Sequence, residues 1–355
     1  MRDDPAAEPA GQTIRFARSA ARTVAWAAVG AGPPLVVGGW WMGHLELNWA
    51  DPAFRAFFGE LAGGHTVVRY DRPGSGLSPG VADHSLDGEV AALAEVVSAL
   101  GDTPVTLLGA SSGGPVAVAL AARRPDLVER LVLYGTFADG SHLASLAVRD
   151  QLVALVGAHW GLGSRVLADL FLPGATAAER DEFARFQRAS ATAATAAASL
   201  AAAYALDVRA ELDRVTAPTL VLHRRDDRAV PVALGRDVAA TVPGASFAAL
   251  EGDEHFPWRG GAHAVLRAVL AFLPGSAGAD RRSPNVAAPS SVLSPRELDV
   301  LRLVAEGMAD REIARRLSLS PHTVHRHLAN VRSKLALPSR AAAAAYAERH
   351  HLLEH

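Results

Sequence analysis

The sequence predicts an α/β fold with a mostly parallel sheet, followed by a small all-helical domain. Three observations lead to this prediction. Short apolar strands alternate with helical segments through the first 273 residues. A run in which 13 of 19 residues are Pro, Gly, Ala or Ser follows at positions 274–292. Beyond this run, apolar residues recur only at helical spacing.

Composition limits the classes of protein that this chain can represent. The 355 residues suit two domains, half of them are hydrophobic, and the formal net charge is −2. The absence of cysteine excludes disulfides and thiolate metal sites and fits a reducing compartment, so we expect a cytoplasmic protein. No apolar run reaches the ~18 residues that a membrane span needs. The histidines are scattered, so we expect no metal and no cofactor. Residues 1–12 are polar and are expected to be disordered.

The larger domain is expected at residues 13–273. An antiparallel pair of strands opens it, and strands spaced by helices then imply a parallel sheet covered on both faces. This rhythm stops between Tyr134 and Thr219, where about 80 residues have a helical pattern. We interpret the segment from about 137 to 210 as a helical lid, with helices at Leu143–Val156, Ser164–Phe171 and Ala177–Leu206.

A Gly-x-Ser-x-Gly sequence, Gly109-Ala110-Ser111-Ser112-Gly113, follows an apolar strand and precedes an apolar helix. A serine on such a tight turn needs neighbours without bulk, and the helix directs free N–H groups at the reacting centre. Ser111 is therefore the candidate nucleophile.

An acid and a base follow in the order expected for such a nucleophile. Asp227 comes after the strand Thr219–His223 and is the preferred acid, with Asp226 as the alternative. His255 follows the last strand and is the candidate base. His255 would take the proton from Ser111, and Asp227 would hold the imidazole and stabilise its cation.

These motifs make residues 13–273 resemble the α/β-hydrolase superfamily, and in particular a subgroup of regulatory hydrolase-like domains. The elements Trp41-Met42-Gly43-His44-Leu45-Glu46 and His255-Phe256-Pro257-Trp258 carry the likeness to that subgroup. The resemblance implies an oxyanion hole made by the backbone N–H groups of Trp40 and Ser112. It departs from many relatives in having Gly38-Gly39-Trp40-Trp41 after the third strand. We expect a pocket for a small apolar ligand, with Gly39, Trp41, His44 and Phe137 as lining residues; a capping or core role for His44 is an equal alternative.

The C-terminal region, residues 293–355, carries a net charge of +3, and Ile313–Ala347 contains no acidic residue. Ser294-Pro295 and Ser320-Pro321 each place a capping serine before a helix that starts with proline. Asp310 is expected to cap a helix between them. In the third helix Val324, Leu328, Val331 and Leu335 form one apolar stripe beside a basic face. Two short helices with a tight turn, the second one basic, favour a helix-turn-helix that enters the DNA major groove.

This region resembles the LuxR-type four-helix DNA-binding domain through Leu293-Ser294-Pro295-Arg296-Glu297 and Ser320-Pro321-His322-Thr323-Val324. The resemblance implies double-stranded DNA as a partner. His325, Arg326 and Ala329 would occupy base-reading positions, and Thr323, Asn330 and Lys334 would contact phosphates. In the family the fourth helix, which would start after Ser339, pairs subunits, so a homodimer is expected.

Two hypotheses for function follow from these motifs. The first is a transcriptional regulator in which the α/β-hydrolase-like domain senses a small apolar ester- or lactone-like ligand, with or without slow hydrolysis. The second is a serine esterase or lactonase for which DNA binding is secondary.

Overall fold

The structure, a computed structural model, describes residues 11–80, 82–273, 295–306, 308–317, 319–334 and 347. The chain divides into two compact units, residues 1–277 and 278–355. The first is a sheet with helices on its faces, and the described part of the second is helical. The predicted α/β class is therefore confirmed. The expected linker 274–292, the disorder expected before residue 11 and the fourth helix lie outside the described residues.

One sheet of eight strands forms the centre of the larger unit. The strands are β1 (Thr13–Arg18), β2 (Thr23–Val29), β3 (Pro34–Val37), β4 (Thr66–Tyr70), β5 (Val105–Ala110), β6 (Val128–Tyr134), β7 (Thr219–Arg224) and β8 (Ser246–Leu250). Their spatial order is β1-β2-β4-β3-β5-β6-β7-β8. β2 is antiparallel to both β1 and β4, and the other neighbouring pairs are parallel.

The central strands are apolar along their whole length because helices cover both faces of the sheet. All six residues of β5 are buried, and so are all six of β7. The strands from β5 to β8 run parallel, so their carboxyl ends lie at one edge of the sheet. The loops that leave this edge carry the functional candidates.

The helices α1 (Leu45–Ala50) and α2 (Pro52–Ala62) connect β3 to β4. Asp51 separates them and caps α2, because its Oδ1 accepts from the N–H of Ala53 at 2.9 Å. Pro52 occupies the first turn, where its missing N–H costs nothing. The helices α3 (Leu86–Ser98), α4 (Gly113–Arg123), α9 (Val232–Thr241) and α10 (Ala262–Phe272) complete the layers on the sheet.

Four helices lie between β6 and β7, in the segment expected to be a lid, and the name lid is kept for them. They are α5 (Leu146–Ala158), α6 (Trp160–Phe171), α7 (Ala177–Ser190) and α8 (Ala193–Ala205). The single helix expected at Ala177–Leu206 is wrong, because Ala191 has an extended backbone and Thr192 starts a new helix. Thr192 Oγ1 accepts from the N–H of Thr195 at 3.2 Å, a local bond that competes with helix continuation. None of the described helices is both long and apolar enough to cross a membrane.

The described part of the smaller unit holds α11 (Pro295–Ala305), α12 (Asp310–Leu317) and α13 (Pro321–Lys334). Ser320 caps α13, because its Oγ accepts from the N–H of Thr323 at 3.0 Å. Asp310, expected as the cap of α12, lies inside its first turn instead. Ala309 precedes the helix, and its N–H donates to Glu312 Oε2 at 2.8 Å. The core of this unit contains Val300, Leu301, Val304, Ile313, Ala314, Val324, Leu328, Val331 and Ala347.

Candidate functional site

Ser111 lies in the turn between β5 and α4, with φ +51°. Among the described residues it is the one non-glycine residue with a positive φ. The N–H of Ser111 donates to Tyr134 O at 3.0 Å, and its carbonyl accepts from Thr136 Oγ1 at 2.8 Å and from the N–H of Gly114 at 3.0 Å. These bonds hold a backbone conformation that an L-residue rarely adopts.

Glycines stand beside Ser111 because β5 and α4 approach closely at this turn. A Cβ on Gly109 would lie 2.7 Å from the Ala117 Cβ and 2.9 Å from Gly113 O. A Cβ on Gly113 would lie 2.9 Å from Gly39 O. The Gly-x-Ser-x-Gly spacing therefore reflects the contact between helix, strand and the loop after β3.

His255 and Asp227 form a buried hydrogen-bonded pair. His255 Nδ1 lies 2.8 Å from Asp227 Oδ2, and each side chain is at most 3% exposed. Asp227 Oδ1 accepts from the N–H groups of Ala229 at 2.9 Å and Val230 at 3.1 Å. Asp226 is exposed, and its N–H donates to Gly252 O. The structure thus places Asp227, and not Asp226, against the histidine.

The surroundings favour an ionised Asp227 and a neutral His223. Burial by itself raises the pKa of Asp227. The His255 ring, the N–H of Val230 and the nearby His223 more than compensate, so the pKa lies below its ordinary value. Burial lowers the pKa of His223, whose Nε2 lies 2.8 Å from Val230 O and 3.8 Å from Asp227 Oδ2.

The sheet brings Ser111 to the same edge as this pair. Ser111 bonds to Tyr134, and the next residue, Gly135, packs on the pair. A Cβ on Gly135 would lie 3.4 Å from Asp227 Oδ2 and 3.7 Å from His255 Cε1. Within the described part of the chain, the hydroxyl of Ser111 makes no hydrogen bond with His255.

Arg224, which sequence reasoning did not single out, holds the loop that carries His255. Its guanidinium is buried at the end of β7. Nε donates to the Tyr134 hydroxyl at 2.8 Å, Nη1 to Glu251 O at 3.2 Å and Nη2 to Arg259 O at 2.6 Å. Both ends of the histidine loop are therefore tied to β6 and β7 by one buried cation.

A cavity of about 200 Å³ adjoins Ser111 beneath the lid. Most of its lining is apolar and comes from the lid, the loop after β6 and the loop after Asp227. The lining residues are Trp41, Ser111, Ser112, Phe137, Leu143, Ala144, Val148, Leu152, Leu167, Leu170, Phe171, Leu200, Ala203, Tyr204, Arg228, Ala229 and Val230. Phe171 also stacks on the His255 ring, with centroids 5.3 Å apart and planes at 22°.

The sequence-predicted pocket residues divide into two groups. Trp41 and Phe137 line the cavity, whereas Gly39 and His44 are not among its lining residues. His44 instead caps α1. Gly39 lies against Arg72, so close that a Cβ added to the glycine would be 2.9 Å from Arg72 Cγ. The Trp40 ring turns toward Trp258, with centroids 4.9 Å apart. The side chain of Trp40 is therefore not a cavity residue, and the role expected for Trp40 concerns its backbone N–H alone.

In the smaller unit, α13 separates a buried stripe from an exposed face. Val324, Leu328 and Val331 are buried, whereas His325, Arg326 and Asn330 are exposed. Thr323 is half-buried. The side chains of Ala329 and Lys334 lie outside the described residues. His325 Nδ1 lies 3.8 Å from Asp310 Oδ2, so the histidine contacts the first turn of α12.

Neither unit shows a metal centre in its described residues, since no three His, Asp or Glu side chains there are arranged to hold an ion.

Comparison with known proteins agrees with this geometry. Residues 35–258 match the sequence model of the α/β hydrolase fold, and residues 291–347 match that of bacterial regulatory proteins of the luxR family. A hydrolase of Pseudomonas aeruginosa is 28% identical, with a TM-score of 0.64 over 74% of this chain and 98% of that chain. The enol-lactonase of Burkholderia xenovorans is 25% identical, with a TM-score of 0.60 over 73% and 99%.

The smaller unit has its own relatives. The transcriptional regulatory protein LiaR of Bacillus subtilis is 42% identical over 73 residues, which are 21% of this chain and 35% of that protein. The chain spans about a tenth of the length of the first curated relatives that it matches. The fold, the turn at Ser111 and the sequence match over residues 35–258 agree: the chain belongs to the α/β hydrolase fold family and carries a C-terminal region of the luxR family type.

Proposed function

We propose that this protein is a DNA-binding transcriptional regulator whose hydrolase-fold unit binds, and slowly hydrolyses, a small ester- or lactone-like molecule. The observation that carries the proposal is the presence in one chain of a luxR-type helical unit and a hydrolase-fold unit with a paired His255 and Asp227. A binding unit joined to a DNA-binding unit is the arrangement that a ligand-responsive regulator needs.

The exposed face of α13 is the proposed DNA-contacting surface. His325, Arg326 and Ala329 read bases in the major groove, where an α-helix fits and all four base pairs differ. Thr323, Asn330 and Lys334 contact phosphates, which fix the helix on the duplex. The protein binds as a homodimer, so its DNA site is a near-palindrome.

The proposed hydrolysis uses the edge of the sheet where β5, β7 and β8 end. Ser111 Oγ attacks the ester carbonyl carbon while His255 takes the hydroxyl proton, and Asp227 stabilises the imidazolium. The N–H groups of Trp40 and Ser112 bind the oxyanion. The alcohol leaves with the proton from His255. Water, activated by the same histidine, then releases the acid and restores Ser111.

The DNA-binding part of the proposal is tested with a duplex selected by the protein from a randomised library. Arg326→Ala is expected to weaken binding to that duplex by ~1–3 kcal/mol, because a base-reading arginine is lost. Arg225→Ala removes the same charge from an exposed site in the larger unit and is the control. No selection of any sequence at moderate salt, or equal losses in both variants, would contradict the proposal.

A serine esterase or lactonase for which DNA binding is secondary is the second candidate. The buried His255–Asp227 pair and the constrained turn at Ser111 favour it. A fluorophosphonate probe is expected to label the unsubstituted protein and to leave Ser111→Ala unlabelled. Efficient turnover of esters, combined with DNA binding that no ester changes, would favour this candidate over the regulator.

A further inference from the structure

Two residues that line the cavity beside Ser111 each have a buried side-chain donor without a hydrogen-bond partner. Trp41 Nε1 and Ser112 Oγ are both buried without a hydrogen bond, and both residues line the cavity. A buried polar group without a partner costs about 1–3 kcal/mol, so a ligand that gives these two donors an acceptor recovers part of that free energy. Two donors beside the candidate nucleophile suit the oxygen atoms of an ester or lactone.

A single charged side chain, Arg228, also lines this cavity. It is exposed, and among the described residues it forms neither a hydrogen bond nor an ion pair. The nearby carboxylates do not pair with Arg228. Asp227 is bonded to His255, and Asp226 and Asp253, which line a second cleft together with Arg228, lie more than 4.0 Å from its guanidinium. Arg149 is not among the lining residues, and it donates to Tyr204 O at 3.5 Å.

We propose that the ligand is an aliphatic ester or lactone that carries a free carboxylate. Its carboxylate pairs with Arg228, and its ester group lies beside Ser111, where the side chains of Trp41 and Ser112 turn so that Nε1 and Oγ donate to the ester oxygens. The aliphatic part lies along the apolar lining between them. Arg228 is thus a specificity-determining residue, because an arginine fork matches a carboxylate in geometry and charge. The inference rests on the proposed function for the site but needs neither DNA binding nor turnover.

The test measures binding of two matched esters by calorimetry, using Ser111→Ala so that no hydrolysis occurs. Monomethyl adipate and methyl hexanoate have the same length and differ only in the terminal carboxylate. Ser111→Ala is expected to bind monomethyl adipate about fivefold more tightly, and adding Arg228→Gln is expected to remove this preference. Adding Arg225→Gln, at an exposed site outside the cavity, is expected to retain it.

Two further variants test the carboxylate contact and the ester contact separately. Arg228→Glu is expected to reverse the preference and to favour methyl 6-aminohexanoate over monomethyl adipate. Trp41→Phe is expected to weaken both esters by the same factor, since the lost donor serves the ester group that they share. Equal affinities for the two esters, no binding of either, or a preference that survives Arg228→Gln would overturn the inference. A failure of the proposed regulatory function would be seen in a different experiment, the DNA selection, in which the protein would select no sequence.

Discussion

At the scale of single residues, the candidate active site depends on a few side chains that hold others in place. Ser111 keeps its positive φ because its N–H bonds to the last residue of β6 and its carbonyl bonds to Thr136 in the segment that follows. Asp227 keeps its orientation because two N–H groups bind one oxygen and His255 binds the other. The bonds from Ser111 to Tyr134 and Thr136 and from Asp227 to His255 join residues far apart in the chain, whereas the two N–H bonds to Asp227 Oδ1 are local.

Thr136 is expected to support the turn at Ser111. Thr136→Val keeps the shape of the side chain and removes the hydroxyl that donates to Ser111 O. We expect the free energy of unfolding to fall by about 1 kcal/mol and fluorophosphonate labelling of Ser111 to slow. Thr219→Val removes a buried hydroxyl that bonds to Ala217 O, away from the turn, and is the control. Equal labelling rates in both variants would show that Thr136 has no special part in presenting the serine.

His223 is expected to make the stability of the larger unit depend on pH. Burial lowers its pKa in the folded protein below the unfolded value of about 6.5. The unfolded chain therefore binds the proton first as pH falls. The stability that comes from a neutral His223 is present above about pH 6.5 and is lost below it.

The measurement is urea unfolding at pH 7.5 and pH 5.5. His223→Gln removes the titrating group, so this variant is expected to lose less stability between the two pH values than the unsubstituted protein does. His263→Gln replaces an exposed histidine and should leave the difference unchanged. An undiminished pH dependence in His223→Gln would refute the assignment.

At the scale of elements, local capping bonds determine where a helix begins and ends. They do not determine which other segments the helix contacts. The last two lid helices, α7 and α8, are separate because Thr192 Oγ1 accepts a hydrogen bond from the N–H of Thr195. The sequence shows this threonine, but its neighbours Ala191 and Ala193 are equally compatible with an unbroken helix. Extended backbone at Ala191 lets Trp160 Nε1 donate to Ala191 O at 2.9 Å, a contact that no local pattern reveals.

The cap of α8 is expected to control the order of the lid. Thr192→Ala should destabilise the start of this helix by about 1 kcal/mol and increase limited proteolysis near residue 192. Thr241→Ala removes a threonine at the end of α9, whose hydroxyl bonds to Asp237 O, and serves as the comparison. If the two variants were cleaved at the same rate, the break between α7 and α8 would not depend on this cap.

At the scale of the whole molecule, each of the two units has its own hydrophobic core. Leu328 is buried in the core of the helical unit, whereas Phe58 belongs to the core of the larger unit. Because the two cores share no residue, we expect the units to unfold separately.

Leu328→Ala is expected to destabilise the helical unit by roughly 2–5 kcal/mol. DNA binding should be lost while the thermal transition of the larger unit and the labelling of Ser111 stay unchanged. Phe58→Ala is the reciprocal variant and should affect the larger unit alone. A single transition that shifts in both variants would contradict the expectation of independent units.

The sequence by itself determined the α/β class, the Gly-x-Ser-x-Gly turn at Ser111, the order of a serine, an acid and a histidine along the chain, and the apolar stripe of α13. Each of these patterns depends on residues close together in the chain or on a fixed spacing along a helix or strand. Only the tertiary structure decided between Asp226 and Asp227, turned the Trp40 ring toward Trp258, placed Phe171 on His255 and brought Arg228 to the lining of the cavity. These contacts join segments that come together only when the sheet and lid are assembled, and side-chain direction at such distances is set by packing.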